Sequence, residues 1–141
     1  MSLIEIRDMY KIYNPGENEV RAIDGVNLTI ELGEFVAIIG QSGSGKSTLM
    51  NMLGLLDVPT SGKYLLNGKD VEGLTDDELS EIRNKEIGFI FQGFNLVTSL
   101  TATENVELPL VYRGMKKDER RKLAVEALER VKTEMIPYYP L

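Results

Sequence analysis

The sequence predicts an α/β fold in which a glycine-rich loop joins a buried strand to a helix, with an antiparallel β layer ahead of it and a helical arm behind it. Three observations carry this expectation. The apolar run Phe35-Val36-Ala37-Ile38-Ile39 leads into Gly40–Ser47, and Leu49, Met52, Leu53 and Leu56 then recur at helical spacing. Segments on the N-terminal side alternate apolar and polar residues, as half-exposed strands do. Segments from Thr101 onward carry capping signals and apolar residues on one helical face.

Taken in order, Leu3 to Met9 alternates and predicts a strand, and Asn14-Pro15-Gly16-Glu17-Asn18 is a turn cluster. Val26 to Ile30 predicts a second alternating strand. The turn Glu31-Leu32-Gly33-Glu34 is expected to return the chain antiparallel into Phe35–Ile39. That run is apolar on both faces, the pattern of a central strand in a covered, mostly parallel sheet. The helix after the loop is expected to reach about Leu56 and stop before Pro59. Thr60-Ser61-Gly62 reads as a turn, Lys63–Leu66 as a short strand and Asn67-Gly68 as a tight hairpin. Thr75-Asp76-Asp77-Glu78 is a capping box, Ile87–Phe91 a second strand apolar on both faces, and Thr101-Ala102-Thr103-Glu104 another capping box. Pro109 is expected to kink or end the helix that follows. From Lys117 a last helix places Leu123, Ala124, Ala127, Leu128 and Val131 on one face.

The loop Gly40-Gln41-Ser42-Gly43-Ser44-Gly45-Lys46-Ser47 fits G-x-x-x-x-G-K-[ST], the pattern that cradles a polyphosphate. Its glycines let successive N–H groups turn inward as an anion nest, and the following helix adds the positive end of its dipole. Lys46 would reach the β- and γ-phosphates, and the Ser47 hydroxyl would be one ligand of Mg2+. The competing explanation is a chance glycine-serine loop, which the strand before it and the helix after it disfavour.

Composition narrows the classes further. The 141 residues are 43% hydrophobic and 27% charged, with a net charge of −6, ordinary for one globular domain and poorly suited to a broad basic nucleic-acid surface. There is no cysteine and no histidine, so thiolate chemistry, disulfides and histidine bases are excluded for these residues. The N-terminus lacks a basic segment followed by an apolar one, and no apolar run approaches a membrane span. A cytoplasmic location is expected, with any membrane reached through a partner.

With Lys11-Ile12-Tyr13 ahead of the loop strand, the chain resembles the ATP-binding subunit of ABC transporters, within the export and lipoprotein-release group typified by MacB and LolD. The resemblance runs from about Leu3 to Val131. It rests on Gly40–Thr48, Gly54-Leu55-Leu56-Asp57-Val58-Pro59-Thr60-Ser61-Gly62, Ile87–Gln92, Phe94-Asn95-Leu96 and Thr101–Leu110, four further blocks in the right order. It implies a P-loop NTPase fold of ABC-ATPase type, ATP and Mg2+ as cofactors, and a cytoplasmic subunit peripheral to the inner membrane through a transmembrane permease subunit. By position, Gly40, Ser42, Gly43, Ser44, Gly45, Lys46, Ser47 and Thr48 resemble the phosphate-binding residues. Tyr13 resembles the aromatic residue that stacks on adenine, and Gln92 resembles the Q-loop glutamine that touches Mg2+ and the attacking water. The plainer alternatives are a tyrosine packed at a strand end and a polar residue closing a buried strand. The segment from Phe94 to about Val106 resembles the surface that receives a coupling helix of the permease; a solvated loop is the alternative.

Other acidic motifs read as structure. Glu104, Glu107 and Asp118-Glu119 fit capping and solvated faces better than a catalytic carboxylate, because none follows a strand leading back to the loop. Asp70-Val71-Glu72-Gly73 matches the D-x-x-G of GTPases, yet Asn84-Lys85-Glu86-Ile87 fails the guanine-reading N-K-x-D, so a turn is expected.

The resemblance also implies parts these residues lack: an L-S-G-G-Q signature, a Walker B strand ending in Asp-Glu and a histidine switch. Leu123–Val131 resembles the helix before the signature, whereas 132–141, with two prolines and two tyrosines, reads as a non-family tail after a family segment spanning 1–131. The expectation is a truncated subunit with an incomplete core sheet that binds Mg-ATP or ADP weakly, with negligible turnover. Apolar strands deprived of neighbours favour a homo-oligomer. The alternative function is a non-catalytic nucleotide-binding fragment that self-associates.

Overall fold

A computed structural model of the chain describes residues 2–16, 18–93 and 95–131. They fall into two compact units, Met1–Ile87 and Gly88–Leu141. The expected tail, 132–141, lies outside the described residues, as does Phe94 of the predicted partner-facing segment.

The first unit is built on an antiparallel sheet of order β2-β1-β3-β4. Its strands are β1 (Ser2–Tyr13), β2 (Val20–Glu31), β3 (Ser61–Leu66) and β4 (Lys69–Asp70). Both long strands exceed the alternating stretches that predicted them, and β3 begins inside the expected turn. β1 is central: Ile6 faces Leu28 on one side and Tyr64 on the other. Its alternation breaks at Asp8, which takes a left-handed backbone (φ 44°). There Asp8 N–H donates to Asn27 Oδ1 and Asn27 Nδ2 donates to Asp8 Oδ1, both at 3.0 Å. The bulge shifts the buried phase from Ile6 to Met9. Opposite it, a Cβ on Gly62 would lie 2.2 Å from the Asp8 carbonyl oxygen, so only glycine fits. Asn67 and Gly68 are both left-handed (φ 51° and 76°), as the tight β3–β4 turn requires.

Ile6, Met9, Ile23, Met52, Leu55 and Tyr64 form the heart of the core, joined by Leu79 and Ile82 of α2 (Asp76–Glu86). The Thr75–Glu78 capping box that starts α2 is formed as expected. The expected turn at Asp70–Gly73 is also present, with Glu72 N–H donating to Asp70 Oδ1 at 3.0 Å.

Two expectations are corrected. Neither Phe35–Ile39 nor Ile87–Phe91 is a strand, and neither joins a sheet among the described residues. Phe35 is 97% exposed, Ile39 91% and Ile90 fully so. A run apolar on both faces forms a strand only between two hydrogen-bonded neighbours with layers above and below. The antiparallel layer offers it no such place, and the core sheet is incomplete.

The helix after the loop, α1 (Lys46–Leu53), also stops three residues short of expectation. Leu56 N–H donates to Asn51 O at 2.9 Å and Leu55 N–H to Met52 O at 3.0 Å, a Schellman ending. The left-handed residue is Leu55 (φ 55°) rather than a glycine, which costs about 1–2 kcal/mol. Its side chain is buried in the core, and Arg83 Nη1 donates to its carbonyl at 2.5 Å.

The second unit is a helical hairpin of α3 (Ala102–Tyr112) and α4 (Lys117–Arg130). Thr101 and Glu104 form the expected capping box. Pro109, expected to kink or end α3, does not end it; the helix runs on to Tyr112. Glu107, expected on a solvated face, is instead buried at 5% exposure, where Arg120 Nε (3.2 Å) and Arg121 Nη1 (3.1 Å) pair with its carboxylate. Asn105 accepts from Val97 N–H at 2.8 Å and donates to the carbonyls of Val97, Leu100 and Thr101. It fastens the loop 97–101 onto α3. Among the described residues no helix is long and apolar enough to cross a membrane.

Candidate nucleotide-binding site

The loop 40–47 rests on β2. Between the pairs Lys11↔Ile23 and Ile12↔Arg21 the register slips by one residue, leaving Ala22 as a bulge. Gly45, at φ 83°, packs on this bulge so closely that a Cβ would lie 2.2 Å from the Ala22 carbonyl oxygen. Gly43 is also left-handed (φ 79°), and Ser44 N–H donates to Gln41 O at 3.2 Å, closing a turn.

Gly45 is the N-cap of α1, and no side chain caps this end. The first N–H groups of the helix are therefore not taken up by a capping oxygen, which suits an anion. Lys46 folds back over the loop: its ammonium donates to Gly40 O at 2.8 Å, Gln41 O at 2.5 Å and Ser44 Oγ at 3.3 Å. Ser42 and Ser47 are exposed, and Thr48 is half-buried on the first turn.

Tyr13 ends β1 opposite Val20, two residues along β2 from Ala22 or about 7 Å at strand rise. Loop and ring thus share one end of the sheet. The Tyr13 hydroxyl donates to Asp57 Oδ2 at 3.0 Å, and Lys11 Nζ sits over the ring 5.1 Å from its centroid. Lys11 Nζ also donates to Asp57 Oδ1 at 2.7 Å and Val58 O at 2.8 Å. Burial pushes the Asp57 carboxyl up, but Lys11, the Val58 N–H and the Tyr13 hydroxyl together hold it below the ordinary carboxylate value. A cavity of about 270 Å³ under residues 57–62 is lined by core side chains such as Met52, Leu55 and Tyr64 and includes no residue of the loop 40–47.

The profile of the ABC transporter family matches residues 23–140. This chain belongs to the ABC transporter family. Among its relatives, the macrolide export ATP-binding/permease protein MacB of Hyphomonas neptunium is 55% identical over 129 residues, covering 92% of this chain and 20% of that protein. An uncharacterized ABC transporter ATP-binding protein of Bacillus subtilis, YvrO, is 52% identical, covering 92% of this chain and 56% of its own length. Among solved structures, the dimeric ATP-binding cassette MJ0796 bound to ADP and Pi superposes with a TM-score of 0.86 at 46% identity, covering 95% of this chain and 59% of that one. The chain thus spans about a fifth to three fifths of these relatives.

Seen as an ABC cassette, the first unit brings together Tyr13, Gly40, Ser42, Gly43, Ser44, Gly45, Lys46, Ser47 and Thr48. Gln92 belongs to the second unit, where it is exposed in a bend. For Mg2+, Ser47 supplies one hard oxygen donor, and no group of three or more Asp or Glu that could hold a metal occurs among the described residues. That donor set fits Mg2+, which keeps several waters and takes its other oxygens from a phosphate, and so would arrive with the nucleotide. The tether on Tyr13 was missed in sequence, because Asp57 lies 44 positions away and only the end of α1 brings it back.

Proposed function

We propose that this chain supplies the ATP-binding part of an ABC transporter that drives export or lipoprotein release, gripping Mg-ATP or ADP at Gly40–Thr48. The observation that carries this reading is the uncapped start of α1 behind a loop of left-handed glycines, with the Lys46 ammonium already over the loop. Backbone N–H groups of the loop and helix hold the phosphates, and Lys46 exchanges its carbonyl partners for β- and γ-phosphate oxygens. The Ser47 hydroxyl would hold Mg2+, which would supply neutralising positive charge to the phosphates; by its family position Gln92 is a further candidate ligand. Tyr13 stacks on the base. The transmembrane permease subunit is the partner, and the chain works at the cytoplasmic face of the inner membrane through it.

With no Walker B carboxylates or signature among its residues, the chain by itself binds without turning over. A nucleotide titration run beside a phosphate-release assay tests this. Saturable binding with release no faster than that of Lys46→Ala is expected; release well above that control contradicts it. The exposure of Phe35, Ile39 and Ile90 favours a second reading, a nucleotide-binding fragment that self-associates. Light scattering showing a monomer at assay concentrations removes it.

A further inference from the structure

We propose that Asp57, with Lys11, is a positioning residue that fixes the Tyr13 ring so that one face stays open for a purine base. This rests on the reading of Tyr13 as the base-stacking residue and assigns the groups that make the ring ready. A tyrosine at a strand end turns freely about its side-chain bonds unless something holds its far edge. Here the hydroxyl is held by Asp57 Oδ2, while Lys11 covers one face. Tyr13 keeps 38% of its surface exposed.

The carboxylate is itself held in place. Thr60 N–H donates to Tyr10 O at 2.8 Å and Ile12 N–H donates to Thr60 Oγ1 at 2.9 Å, so residues 57–60 form a strap fastened along β1. The left-handed Leu55 throws the chain from the end of α1 into that strap. One helix, about 12 Å long, therefore begins at the phosphate loop and ends at the base clamp. The spacing between the two grips is set by α1 and not by a flexible connection, which is what a ligand with a base at one end and phosphates at the other needs. The ring recognises a flat face and reads no base edge, so it accepts a base by its π-face.

The experiment is a calorimetric titration of the whole 141-residue chain and its variants with Mg-ATP and, separately, with Mg-tripolyphosphate. Tyr13→Phe keeps the ring and loses only the tether; Asp57→Ala removes the acceptor. Each is expected to weaken ATP by about fivefold, the effect of one charge-assisted hydrogen bond used for orientation, and to leave tripolyphosphate unchanged. In the double variant the loss should equal that of either single one, because both act through the same bond. Should Asp57→Ala fold poorly, Tyr13→Phe alone decides. ATP affinity unchanged in Tyr13→Phe, equal losses for both ligands, or additive losses in the double variant would each overturn the proposal. Tyr13→Ala separates the two levels. If it lowers ATP affinity while Tyr13→Phe does not, only the positioning role fails; if it changes nothing, the stacking reading fails as well.

Discussion

Replacing Gly45 by alanine should be far more damaging than replacing Gly43, though both glycines have nearly the same backbone angle. Gly43 lies at φ 79° with nothing within 4 Å of the position a Cβ would take. Alanine there meets only the left-handed penalty of about 1–2 kcal/mol. Gly45 lies at φ 83°, and its Cβ would sit 2.2 Å from the Ala22 carbonyl oxygen and 3.5 Å from Ile23 Cδ1. The first neighbour is backbone in the bulge of β2 and cannot rotate away, so loop or strand must shift by on the order of 1 Å. Overpacking of that kind adds about 1–3 kcal/mol, for a total of about 2–5 kcal/mol. Urea denaturation of both variants, followed by nucleotide titration of whatever remains folded, measures the difference. If Gly45→Ala were no less stable than Gly43→Ala and bound ATP equally well, the packing of the loop against Ala22 would be refuted.

Three further predictions concern the supports. Tyr64 is 1% exposed and its hydroxyl donates to Leu53 O at 2.9 Å, so Tyr64→Phe should lose about 1 kcal/mol in urea melts. Burial pushes its ionisation up to about 12, above the ordinary value of about 10. Its contribution is therefore complete below pH ~10 and lost as pH rises through about 12, which ultraviolet titration should show as one late, unfolding-linked tyrosine. Glu107→Ala should loosen the α3–α4 hairpin by about 2 kcal/mol, since Arg120 is mostly buried while Arg121 is half in water; hydrogen exchange across α3 reports it. The Thr101 N–H holds the Glu104 carboxyl below its ordinary value, so the N-terminal turn of α3 is supported above pH ~4.3 and frays as pH falls through the depressed value. Thr101→Ala should remove about 1 kcal/mol of helix stability but only part of that pH dependence, because the backbone N–H at 101 still donates to Glu104; circular dichroism measures both.

Much of the local structure was legible because it is written in neighbouring residues. Both capping boxes, the Asn67-Gly68 turn and the phosphate loop depend on side chains within a few positions of one another. The errors came where partners are distant. Phe35–Ile39 and Ile87–Phe91 have strand composition, but composition cannot supply the neighbouring strands that a buried strand hydrogen-bonds to. The early end of α1 at a left-handed Leu55 went against propensity, since glycine is the expected residue there. Glu107 looked like a surface acid because the two arginines that bury it come from the next helix. The bulge at Ala22 and the Asp57 tether left no local signature, yet together they place loop and ring at one end of the sheet.

The central claim is that backbone amides from Gly43 to Ser47 hold the phosphate chain of a nucleotide. Amide chemical shifts of the isotopically labelled chain, followed during addition of Mg-ADP and then of Mg-pyrophosphate, test it most directly. Large shifts and slowed exchange should concentrate at Gly43, Gly45, Lys46 and Ser47 with both ligands, and vanish in Lys46→Ala. Saturating nucleotide that leaves those amides where they were contradicts the account.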